Sequence, residues 1–181
     1  MPTYLDVPEA PWVLVTLSSA PQPQEGEIAL ARTALRTLAE SPVRVVVTLT
    51  AGHPRDELGT VPANARIELF VPHSAVLKRS RLLVSHAGHG VVAKALYYGV
   101  PMVLVPWGRD QPGVAARAAA LRVAEVIARH DLTEQRLAVA IHQVLGTPRY
   151  QENATRIAGR LQTRDAIAMA RAQIEALLET P

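Results

Sequence analysis

Two histidines and two glycines fall within five residues at His86-Ala87-Gly88-His89-Gly90. A buried-strand pattern, Leu82-Leu83-Val84, runs into this stretch, and a helical pattern from Val92 to Tyr98 runs out of it. The junction therefore places imidazole, flexible backbone and free amide donors at a helix N-terminus. Unpaired N–H groups and partial positive charge at such a start suit a phosphate or diphosphate. Gly99-Val100-Pro101 and Asp110-Gln111 follow in the chain. The spacing is not the dinucleotide fingerprint, because no third glycine follows at the required interval, and no Gly-Lys-Ser/Thr completes a phosphate loop of the Walker type. Taken singly, a Gly-x-Gly turn is structural and a lone histidine is capped or packed. Only the combination points to chemistry.

Elements that could position this junction alternate along the chain. Strand-type runs lie at Trp12–Leu17, Val43–Leu49, Arg66–Phe70, Leu82–Ser85, Met102–Val105 and Val123–Ile127. Helical patterns lie between or after them at Glu25–Glu40, Pro72–Leu77, Gly90–Tyr98 and Val114–Leu121. From Thr133 onward the chain is all helical in pattern, at about 133–145, 149–161 and 164–178, with Thr133 as the first N-cap. Short apolar strands alternating with helices predict an α/β fold, a Rossmann-like doubly wound parallel sheet of about six strands with C-terminal helices. Such sheets bind ligands beyond the carboxyl ends of their strands. The loops at Ser18-Ser19, Phe70–His73, Ser85–Gly90 and Pro106–Gln111 would all open on that edge. Residues 1–11, with three prolines, read as a linker-like lead-in, and 12–181 as one domain.

Composition narrows the classes. The 181 residues are 49% hydrophobic and 19% charged, as in a globular protein with a full core. No run reaches the roughly 18 apolar residues of a membrane span, no signal pattern opens the chain, and cysteine is absent. A cytoplasmic setting is expected, without a membrane partner. A pI near 9.7 invites a nucleic-acid reading, but the net charge is only +3 and neither an arginine run nor an aromatic platform accompanies it. His53, His130 and His142 share no metal-ligand spacing, so no metal site is expected.

The combined motif His86-x-Gly88-x-Gly90, Gly99-Val100-Pro101, Pro106 and Asp110-Gln111 resembles the donor-binding signature of family 1 glycosyltransferases, nearest to the actinobacterial natural-product (macrolide and enediyne) type. The resemblance covers roughly residues 12–175 and corresponds to the carboxyl-terminal half of such an enzyme. It implies one lobe of a GT-B fold that binds a UDP- or TDP-sugar without a metal or other cofactor and transfers a hexose or deoxyhexose, with inversion, to a small-molecule acceptor. By resemblance, His86 is the catalytic group, stabilising the leaving diphosphate. The implied donor-binding set is Ser19, Phe70, Val71, His73, Gly88, His89, Gly90, Val91, Asp110 and Gln111. In it, backbone amides near Gly88, Gly90 and Val91 and the Ser19 hydroxyl hold phosphate, Phe70 packs on the base, Val71 and His73 offer main-chain contacts to its edge, and Asp110 and Gln111 read sugar hydroxyls. His89 is at a variable position that reads equally as solvent-facing. Val91 stands in place of Thr or Ser, Lys94 in place of Glu, and Val114 in place of Asn. These departures bear on donor choice and activity.

In the resembled family the general base and acceptor pocket belong to an N-terminal lobe. The chain is therefore expected to bind donor but turn over little unless that lobe, or a partner chain, completes it. Ile167, Met169, Ile174, Leu177 and Leu178 give the last helix an apolar stripe, read first as packing on its own domain and otherwise as a surface for a partner or a homodimer. Two rival readings are a non-catalytic nucleotide-binding or assembly module of a two-chain enzyme and a GT-B nucleotide-sugar epimerase or hydrolase. A dinucleotide-binding oxidoreductase lacks its fingerprint.

Overall fold

The computed structural model describes residues 11–19 and 25–178. The proline-rich segment 1–10 lies outside the described residues. Six strands, β1 (Trp12–Thr16), β2 (Arg44–Thr48), β3 (Ala65–Glu68), β4 (Ser80–Ser85), β5 (Met102–Leu104) and β6 (Ala124–Val126), form one sheet in the order β3-β2-β1-β4-β5-β6. Every pairing is parallel. Seven α-helices accompany them: α1 (Ile28–Leu38), α2 (His73–Leu77), α3 (His89–Tyr98), α4 (Gln111–Ala120), α5 (Glu134–Gly146), α6 (Pro148–Gln162) and α7 (Ala166–Leu178).

Alternation along each strand sends side chains into two apolar layers, as a sheet covered on both faces requires. Leu14, Leu83, Met102 and Leu104 pack with Val76, Val92, Ala95, Ala115 and Ala118 of α2, α3 and α4, and Ala154 of α6 seals this layer. Val13, Val15, Leu82, Val84 and Val103 pack on the other side with Leu30, Leu35, Leu137 and Ile141 of α1 and α5. Alanine at Ala115, Ala118 and Ala154 lets these helices sit close.

Strand order reverses at β1, whose neighbours are β2 on one side and β4 on the other, so a crevice opens beyond their carboxyl ends. Register brings those ends level, with Thr16 opposite Thr48 and also opposite Ser85. Three loops therefore leave the sheet side by side.

Strand and helix ends shift by one to three residues from the sequence reading, most clearly at two helix starts. Helix α4 begins at Gln111 and not Val114, because Pro112 occupies the first turn, where its missing N–H is harmless. Helix α1 begins at Ile28, after a turn at Glu25–Glu27. The apolar stripe of α7 does not pack on the domain: Ile167, Ile174, Leu177 and Leu178 are 60–83% exposed. Thr133 caps α5 as read, its hydroxyl accepting the Arg136 amide at 3.1 Å.

Candidate functional site: a cleft at the strand reversal

The floor of the crevice is a hydrogen-bonded chain between strand ends. Thr48 Oγ1 donates to Thr16 Oγ1 at 2.7 Å, and Thr16 Oγ1 in turn donates to the Leu17 carbonyl at 3.3 Å. Since the single Thr48 proton is committed, Nε2 of His73, 3.0 Å away, is the donor to Thr48. In the neutral ring the proton therefore sits on Nε2 and Nδ1 holds the lone pair. Burial lowers its pKa first, and the Lys94 ammonium lowers it further.

The junction itself is a tight corner. Ala87 has φ +67°, left-handed backbone that a non-glycine residue seldom adopts, and it is fully buried. The Ser85 hydroxyl accepts the Ala87 amide at 3.3 Å and so steadies the corner. Nδ1 of His86 lies 3.4 Å from the Thr16 carbonyl, which can only accept, so this nitrogen carries the proton and Nε2 holds the lone pair. A Cβ on Gly88 would stand 2.5 Å from that Nε2. At Gly90 a Cβ would meet nothing within 4 Å. Helix α3 starts at His89, and the first-turn amides of a helix have no acceptor inside it.

Burial lowers the pKa of His86; the Glu27 carboxylate, the Thr16 carbonyl and Asp110 raise it, and His53 lowers it slightly more. Burial thus holds His86 below the ordinary histidine value, against two carboxylates that favour its charged form.

A cleft of about 560 Å³ is lined by Ser19, Phe70, Val71, His73, His86, Gly88, His89, Gly90 and Val91, together with Thr16, Thr48, Thr50 and Lys94. Nine residues expected from the sequence thus surround one space, drawn from the three loops that follow β1, β3 and β4. Phe70 is 84% exposed at its rim, a large ring with one face bare. Val91, buried, packs in the core cluster as well as lining the cleft. Val114 is likewise core.

Asp110 and Gln111 are placed differently. Neither lines this cleft. Gln111 is buried, and its Oε1 accepts the amides of Trp107 at 2.7 Å and Gly108 at 3.1 Å, so it shapes the loop after β5. Asp110 is exposed at the start of α4 yet acts on His86 through its charge. Trp107 donates to the Glu25 carbonyl at 3.3 Å under the Arg129 guanidinium, covering the turn before α1. Sequence reasoning missed Thr16 and Thr48. Their signal was a hydroxyl ending each of two otherwise apolar strands.

Comparison with known proteins agrees with this architecture. Residues 32–173 match the family model for the erythromycin biosynthesis protein CIII-like C-terminal domain. The chain is 36% identical over 145 residues to 4′-demethylrebeccamycin synthase of Lentzea aerocolonigenes, covering 80% of this chain and 34% of that protein. It is 28% identical over 168 residues to demethyllactenocin mycarosyltransferase of Streptomyces fradiae, covering 93% and 36%. Among solved structures, the calicheamicin glycosyltransferase CalG4 superposes with a TM-score of 0.86 at 26% identity, over 97% of this chain and 44% of that one. The glycosyltransferase VinC, solved in complex with dTDP, superposes with a TM-score of 0.84 at 27% identity, over 100% and 45%. The chain spans about a third of the curated relatives it matches and just under half of the solved structures. It belongs to the erythromycin biosynthesis protein CIII-like C-terminal domain family, the carboxyl-terminal lobe of GT-B natural-product glycosyltransferases.

Proposed function

We propose that this chain binds the donor, a TDP- or UDP-linked hexose or deoxyhexose, for transfer to a small-molecule acceptor held by an N-terminal lobe or partner chain. The observation that carries the proposal is the convergence of His86, Ser19 and the start of α3 on one cleft at the strand reversal. A diphosphate there would meet the first-turn amides of α3 and Nε2 of His86. The exposed ring of Phe70 offers a face for a base at the rim. VinC, similar over 45% of its length, is described in complex with dTDP.

In the reaction the bond between the sugar C1 and the diphosphate oxygen breaks, and the electron pair leaves on the diphosphate. An acceptor oxygen bonds to C1 from the opposite face, and its proton passes to a base outside this chain. His86 and the helix start answer the charge growing on the leaving group, an effect worth several kcal/mol in enzyme sites. No metal has a part in this proposal. Asp110, exposed at the start of α4, is assigned to the sugar hydroxyls. Gln111 is assigned there through its amide nitrogen, since its oxygen holds the loop. A cytoplasmic setting accords with the absence, among the described residues, of a helix long and apolar enough to cross a membrane.

Calorimetric titration with dTDP, UDP and NAD tests the proposal. The chain binds dTDP or UDP and not NAD, and EDTA leaves the affinity unchanged. Loss of a hydrogen bond to a charged group costs about 1.5–3 kcal/mol, so His86→Ala weakens binding about ten- to hundredfold. Equal affinity in the variant, or a preference for NAD, would sink the proposal.

A further inference from the structure

Beneath the cleft floor stand a carboxylate and an imidazole that the donor-binding geometry does not use. Glu27, at the N-cap of α1, is wholly buried. Its Oε1 accepts the Ser18 amide at 2.5 Å, and its Oε2 faces Nε2 of His53 at 3.9 Å, with both side chains shut off from solvent. The Thr50 amide donates to Nδ1 of His53 at 3.1 Å, so that nitrogen is the acceptor and Nε2 carries the proton. That N–H has no hydrogen-bond partner and points across a gap too long to close by itself. A buried carboxylate persists where its charge is answered.

The same loop ties this pair to the site. Glu27 grips the Ser18 amide, while two residues earlier the Thr16 carbonyl takes the His86 Nδ1–H. The groups acting on His86 come from three elements: Glu27 from α1, His53 from the loop after β2, and Asp110 from the start of α4. Of the two carboxylates, Asp110 is exposed and screened by water, whereas Glu27 is not.

We infer that Glu27 is a positioning residue for His86: it fixes the Leu17–Ser19 loop and is the buried counter-charge that lets His86 Nε2 take up a proton when a diphosphate arrives. The proton comes from solvent. The resulting imidazolium keeps Nδ1–H on the Thr16 carbonyl and turns Nε2–H to the diphosphate, with Glu27, one loop residue away from that carbonyl's strand end, as the buried counter-charge. His53 braces the carboxylate from the far side. The ligand in this scheme rests on the donor-lobe reading; the coupling of Glu27 to His86 does not.

Nitrogen-detected NMR of the imidazole rings tests the coupling in the free chain. Glu27→Gln cuts the proton affinity of His86 about tenfold, and Glu27→Asp, which keeps the charge, stays near the parent. An unchanged His86 titration in folded Glu27→Gln overturns the inference. Should that variant not fold, the parent chain carries the test: the Glu27 carboxyl carbon follows the His86 titration curve, and a flat trace overturns the inference. With dTDP in buffers of differing ionisation enthalpy, the parent takes up a proton on binding. Glu27→Gln binds about tenfold more weakly near neutral pH and moves the binding profile toward acid. Equal weakening at every pH would mark a structural lesion only and overturn it. Absence of dTDP binding together with a Glu27-dependent His86 titration would end the donor-lobe reading and leave the coupling standing.

Discussion

Three histidines of this chain, His53, His73 and His86, are held below their ordinary pKa of 6.5, and in each burial is the leading cause. The unfolded chain would protonate them at 6.5, and the folded chain only at lower pH. Between those values the unfolded state binds more protons, so the stability present above 6.5 is lost as pH falls toward the lowered values. The melting temperature should drop by about 4 °C or more from pH 7 to pH 5. His73→Asn should flatten that slope in scanning fluorimetry, and an equal slope in the variant would show that His73 does not contribute. Diphosphate works in the opposite sense, since it favours the charged ring of His86 and stabilises most where the free protein is weakest.

At the scale of elements, α3 has two ends with separate duties. Its start meets the cleft; its end is stopped by Gly99, in the left-handed region at φ +68°, whose amide bonds back to the carbonyls of Ala95 and Leu96. A Cβ there would also press on Ala158 and the Thr155 backbone of α6, each at 3.4 Å. Gly99→Ala should therefore cost about 1–2 kcal/mol from backbone strain alone, read in a denaturant titration, with dTDP affinity unchanged. A loss of affinity as large as the loss of stability would show that the two ends are not independent.

The same element shows what a sequence can and cannot disclose. Gly99 and the strand–helix junction were legible, because punctuation by glycine and the change from period-two to helical patterning are local. So were the strands around them, each a short apolar run, and the Thr133 cap. Glu27 and His53 were not. A glutamate at the mouth of an amphipathic helix and a histidine in a polar loop look solvated, and only the packing of α1 against β2 and its following loop brings them together. The role of Gln111 was hidden in the same way: nothing in its neighbours tells whether its carboxamide faces a ligand or its own loop.

At the scale of the whole molecule, two layers of core close over the sheet while α7 contributes to neither. Every side chain described from Ile167 to Leu178 is exposed. An element without buried apolar area adds little to the stability of the rest and opens easily. Removing residues from 164 onward should therefore leave dTDP affinity and the melting temperature of the remaining domain within about 2 °C of the parent. A larger drop would mean that the helix folds back in solution. Its amides should exchange with deuterium well before those of β1 and β4.

The glycines of the junction look alike in the sequence and are different in kind. Gly88 is confined by the imidazole lying against it, so any larger residue displaces the histidine before it touches a ligand. Gly90 has empty space where a side chain would go, on the wall of the cleft. Relatives drifting apart would thus be bound to glycine at the first position for as long as the histidine is kept. At the second a side chain has room, and each added methyl group subtracts volume from what the cleft can hold. One glycine keeps the place of the histidine, and the other sets the room left beside the start of α3.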